Sequence, residues 1–103
     1  MVRPSRPTVS EHWLPALADF EPDLILVSAG FDAHVQDEMS GIALTENDYA
    51  WVTERIREVA ERHARGRIVS TLEGGYDLGA LGRSVVAHLD VLLGNGSRAR
   101  RAV

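Results

Sequence analysis

Two short stretches hold the residues whose types and spacing could do chemistry. In "SAGFDAH" (28–34) an acid and a histidine stand in a glycine-bearing turn directly after the apolar run "LILV", and in "LEGGYDLG" (72–79) two adjacent glycines precede a tyrosine. The carboxylate of Asp32 is a hard oxygen ligand suited to a divalent metal, and the hydroxyl of Tyr76 is a donor that can stabilise a developing oxyanion. Gly74 and Gly75 would let the backbone approach a substrate closely, while Gly30 permits the sharp turn that brings Asp32 inward. Open α/β sheets bind ligands outside the carboxyl ends of their strands, so two such loops on neighbouring strands would share one rim.

The flanking elements fit that placement. "DLILVS" (23–28) and "RIVSTL" (67–72) are apolar runs too short for free-standing helices, and they read as buried strands, the first covered on both faces. Between them, "LTENDYAWVTERIREVAERHARG" reads as an amphipathic helix. Thr45 caps it, Asp48 takes the third helical position, and Tyr49, Val52, Ile56, Val59, Ala60 and His63 recur on one face before Gly66 ends it. A short helix over Trp13–Phe20, with Pro15 in its first turn, is expected ahead of the first strand. A last helix from about Ala80 to Leu93 should turn Leu81, Val85, Leu89 and Leu92 inward and end at Gly94.

The order predicts a β-α-β unit with parallel strands and a right-handed crossover. Residues 1–9 read as an arm or loop remnant, 10–94 as a partial α/β domain and 95–103 as a flexible basic tail. Two parallel strands with two open edges make a poor independent sheet. The chain is therefore expected either to pair with copies of itself as a homo-oligomer or to belong with a missing amino-terminal portion.

Composition narrows the classes. The 103 residues are 45 % hydrophobic and 25 % charged, an ordinary globular balance for at most one small domain. With no cysteine, disulfides, thiolate nucleophiles and Cys-type metal sites are excluded. All cationic side chains are arginine, which removes Schiff-base chemistry and a phosphate-loop lysine. A net charge of -4 argues against nucleic acid as a general partner. No apolar run is long enough to span a bilayer and no signal-peptide core is visible, so no membrane partner and a cytoplasmic location are expected. His63 and His88 read as structural residues, Trp13 and Trp51 as core or lost-interface residues, and His12 precedes a helix with no partner that the sequence identifies.

The motifs "PDLILVSAGFDAH", "LTENDYAWVT" and "RIVSTLEGGYDLGAL", in this order around the central helix, resemble the carboxyl-terminal part of the zinc-dependent histone deacetylase and acetylpolyamine amidohydrolase superfamily, in particular its bacterial class II-like members. The resemblance spans roughly residues 11 to 93. It implies the carboxyl-terminal part of an arginase-like three-layer α/β fold with an incomplete sheet, and hydrolysis of acetylated amines such as acetyl-lysine or acetylpolyamines. By position, Asp32 corresponds to the family's late zinc ligand and Tyr76 to its transition-state hydrogen-bond donor. Gly74 and Gly75 correspond to the wall of the acyl channel, Phe31 and His34 to rim residues, and Asp37 to a structural loop acid.

The tandem histidines and the D-x-H ligand pair of that superfamily lie upstream of the portion resembled here, and "HH" is absent from this sequence. "DAH" spells D-x-H but aligns with the later motif, so His34 is not read as a ligand. One carboxylate falls short of the three protein ligands usual in catalytic zinc sites, so weak or absent zinc binding and inactivity are expected of the chain alone. The other reading is a catalytically inactive truncated module that oligomerises or binds a partner through its strand edges.

Overall fold

A computed structural model describes residues 5–36 and 44–94. Asp37 and the basic tail over 95–103 lie outside the described residues. The elements run α1 (Ser5–Thr8), a π-helical turn (Val9–Trp13), α2 (Leu14–Phe20), β1 (Ile25–Ala29), α3 (Glu46–His63), β2 (Ile68–Leu72) and α4 (Leu78–Leu92).

The region expected to be an arm over residues 1–9 is helical from Ser5 onward. Its anchor is Arg6, whose guanidinium donates to the buried Asp48 carboxylate at 3.1 Å and lies 5.1 Å from the Trp51 ring centroid. The wide turn that follows answers a problem set by Pro15, which has no N–H to give to the carbonyl four residues back and whose ring would crowd it. The Leu14 N–H reaches instead to the Val9 carbonyl, five residues back. Helix α2 ends where Glu21 adopts φ 52°, its N–H closing on Leu17 and Ala18.

Strands β1 and β2 pair in parallel, with Ile25 opposite Ile68 and Ala29 opposite Leu72. Helix α3 connects them. It starts with the expected capping box: the Asp48 carboxylate accepts from the Thr45 N–H at 2.9 Å and from the Thr45 hydroxyl at 3.1 Å. Ile25, Val59, Ala60 and Ala64 form the core, with Leu14, Leu17, Val27, Ile56 and Ile68 packed against it. All of this lies on one face of the sheet.

Two expectations are corrected here. Strand β1 is covered on one face only, since Leu26 is 72 % exposed and its neighbour Val69 52 % exposed. The described helices pack against the opposite side, and nothing described supplies a layer for this one. Helix α4 buries Ala80, Ser84, His88 and Val91 in place of the leucine stripe, leaving Leu89 exposed. Small residues let α4 approach α3 closely, and the one large polar group in the stripe, His88, is hydrogen-bonded at both ring nitrogens.

Candidate active site

Because Ala29 and Leu72 are register partners, the loops after β1 and β2 leave the sheet side by side. Backbone hydrogen bonds carry the pairing further: the Glu73 N–H donates to Ala29 at 2.9 Å and the Phe31 N–H to Gly74 at 2.7 Å. This zip sets Asp32 over Gly74. A Cβ at Gly74 would lie 3.3 Å from both Cγ and Oδ2 of Asp32 and 3.5 Å from the Tyr76 hydroxyl. The carboxylate and the phenol thus converge on one side of a glycine that has no side chain to part them. Tyr76 is 60 % exposed, and Asp32 is half-buried.

Gly75 has a different reason to be glycine. Its φ of 152° disfavours side chains, and a Cβ there would stand 2.7 Å from Leu81 Cδ1. Immediately beyond Tyr76, Asp77 caps α4 by accepting from the Ala80 N–H at 2.9 Å, so the tyrosine leads directly into a helix start.

Phe31 and His34, expected at the rim, are buried instead, at 3 % and 2 % exposure. Phe31 points down onto Tyr49 and His88, meeting both rings edge-on at centroid distances of 5.0 and 5.8 Å. His34 lies nearly parallel to Tyr49, with ring centroids 6.5 Å apart. Its Nδ1 accepts the Gln36 N–H at 3.0 Å, so the proton sits on Nε2 and is donated to Glu46 Oε2 at 3.1 Å. Glu46 also takes the Arg83 guanidinium, which reaches on to Gln36. Hydrogen bonds from Arg83, the backbone and His34 lower the Glu46 pKa from 4.5 to about 2.

His88 has the opposite tautomer. The Thr53 hydroxyl spends its proton on the Tyr49 carbonyl at 2.7 Å, so it accepts from His88 Nδ1–H at 2.9 Å, and Ser70 Oγ donates to Nε2 at 2.8 Å. Burial pushes the His88 pKa below its usual 6.5.

With both ring nitrogens engaged, His34 is unavailable as a partner ligand to Asp32. Among the described residues no group of three His, Cys, Asp or Glu side chains is placed to hold a metal ion. Among the described residues the donor set at this rim, one carboxylate, does not fit a three-ligand catalytic zinc site. Sequence reading did not find Glu46, Arg83, Thr53 or Ser70. Only Glu46 carried a signal, as an acid at the first helical position after the Thr45 cap.

Residues 5–92 match the model of the Histone deacetylase domain family. The chain belongs to that family. The chain is 47 % identical over 76 residues to Type-2 histone deacetylase 1 of Dictyostelium discoideum, covering 74 % of this chain and 5 % of that protein. It is 46 % identical over 63 residues to a Histone deacetylase-like amidohydrolase of Pseudomonas aeruginosa, covering 61 % of this chain and 17 % of that one. Its fold superposes on the crystal structure of the HDA15 HD domain with a TM-score of 0.79 and 31 % identity, over 86 % of this chain and 24 % of the other. The chain thus spans less than a quarter of the length of these relatives. No described helix is long and apolar enough to cross a membrane.

Proposed function

We propose that this chain forms one wall of the active site of a zinc-dependent deacetylase that hydrolyses acetylated amines of the acetyl-lysine or acetylpolyamine type. The observation that carries the reading is the convergence of the Asp32 carboxylate and the Tyr76 hydroxyl on Gly74. Asp32 is suited to serve as one ligand of the family's zinc, with the remaining ligands and the general base contributed by portions of a deacetylase domain outside this segment. Tyr76 donates its O–H to the oxyanion that forms as water adds to the acetyl carbonyl, before the C–N bond breaks and acetate and amine separate. Gly74 and Gly75 keep the approach to that oxygen narrow and free of side chains.

The test is Tyr76→Phe in a complete deacetylase domain carrying this segment. Turnover should fall about 10²–10³-fold, the usual effect of removing one oxyanion donor, with KM little changed. Unchanged turnover would sink the assignment.

The exposed Leu26 and Val69 on the open sheet face favour a second reading, an inactive module that self-associates through that face and its strand edges. Light scattering separates the two, since a stable monomer over a wide concentration range argues against the module.

A further inference from the structure

Helix α4 is apolar on two sides. One side, with Ala80, Ser84, His88 and Val91, is buried, chiefly against α3. On the other, Leu78, Val86, Leu89 and Leu93 are exposed, with Gly79 and Gly82 exposed among them. At the helical repeat these six positions fall within an arc of about 100° turned away from the buried side. Gly79, Gly82, Val86, Leu89 and Leu93 follow at alternating intervals of three and four, the heptad spacing of a helix that packs along another helix. A Cβ at Gly82 would meet nothing within 4 Å, so the backbone there is bare to an approaching chain.

The charges of α4, Arg83 and Asp90, stand one heptad apart on the same edge of this seam, while Val85 and Leu92 line the other edge. Arg83 gives Nε to Glu46 and Nη2 to Gln36, and its Nη1 lies beside Gly79 at the border of the seam. We propose that this face docks a second copy of the chain, as an antiparallel pair of α4 helices about a two-fold axis. In such a pair each edge meets the same edge of its partner, so Arg83 of one copy faces Asp90 of the other, and symmetry repeats the contact. A parallel pair would instead lay the charged edge against Val85 and Leu92. The register that joins the charges also sets Val86 against Leu89 of the second copy and seats Leu93 of that copy over the bare backbone of Gly82. The surface is distinct from the open sheet face of Leu26 and Val69, and the pairing goes beyond the deacetylase reading without depending on it.

The test is sedimentation equilibrium of the full chain up to about 1 mM, with thermal melting of each variant at low concentration. The wild type should form dimers and no larger species. Gly82→Gln adds a side chain where the monomer has room and removes a glycine from a helix interior, so its melting temperature should hold or rise while dimerisation weakens about tenfold or more. Val86→Glu, at an exposed position, should weaken it as much. Asp90→Arg sets like charges across the seam and should weaken it about tenfold, whereas Leu26→Arg should leave the dimer unchanged. A wild type that stays monomeric overturns the proposal, as does a dimer indifferent to Gly82→Gln and Val86→Glu. Loss of the dimer in Leu26→Arg overturns it in favour of the sheet face. Sensitivity to Gly82→Gln without sensitivity to Asp90→Arg overturns the antiparallel register.

Discussion

Replacing Thr53 by valine tests the buried network under Phe31. The side chains are nearly isosteric, so packing is kept while His88 Nδ1–H loses its acceptor in a place where Thr53 is 4 % and His88 6 % exposed. Leaving a buried donor unsatisfied costs about 1–3 kcal/mol. For a domain of this size each kcal/mol lowers the melting temperature by roughly 4–8 °C, so a fall of about 5–20 °C is expected in thermal unfolding followed by circular dichroism at pH 8. Ser70→Ala removes the other partner, but Ser70 is exposed, so water replaces the lost donor and the cost should stay under about 1 kcal/mol. Imidazole ¹⁵N shifts should show the proton on Nδ1 in the wild type. The reasoning fails if Thr53→Val melts with the wild type, or if Ser70→Ala is the more damaging change. The same burial sets a pH dependence. Above pH 6.5 His88 is neutral folded and unfolded, whereas below it the unfolded chain takes up a proton that the folded chain resists, so stability should decline as pH falls through and below 6.5.

Glu46 contributes stability that is fully present above pH 4.5 and lost as pH falls toward about 2; the shift corresponds to at most about 3 kcal/mol, which 30 % exposure of the side chain reduces to about 1 kcal/mol. Glu46→Gln should therefore lose about that much at pH 7 and flatten the acid limb of a urea-denaturation series run from pH 6 to pH 2. Gly75→Ala combines an unfavourable φ with a 2.7 Å contact to Leu81, and chemical denaturation should show a loss of about 1–3 kcal/mol. Leu26→Arg, on the open sheet face, should change monomer stability by under about 0.5 kcal/mol while abolishing any self-association through that face seen by sedimentation.

Local signals in the sequence were sufficient wherever the physics is local. The Thr45–Asp48 box sits within one turn of helix, and the glycine-bearing turns at Gly30 and Gly74 follow directly on apolar runs, so helix α3 and both loop positions are legible without a structure. The nearness of Asp32 to Tyr76 was also legible, because parallel neighbours bring their carboxyl ends to one rim. What could not be read depended on partners far apart in sequence. Arg6 reaching Asp48 makes a helix of an expected arm, and Thr53 with Ser70 allows a histidine into the buried stripe of α4 in place of leucine. The π-helical turn was hidden for another reason: it relieves Pro15 by a backbone adjustment that no residue type announces. Double-sided burial of β1 was a sound inference from its composition, but it concerned a layer that the described residues do not contain.

The two imidazoles packed with Phe31 and Tyr49 hold the Phe31–Asp32 turn through oriented hydrogen bonds. The Nδ1 of His34 accepts the Gln36 N–H, burial lowers the proton affinity of His88, and the guanidinium of Arg83 is matched by Glu46. The foundation under Asp32 is thus directional, and its Arg83–Glu46 ion pair is internally matched. A foundation of that kind braces the Asp32 carboxylate mechanically without setting net charge beside it.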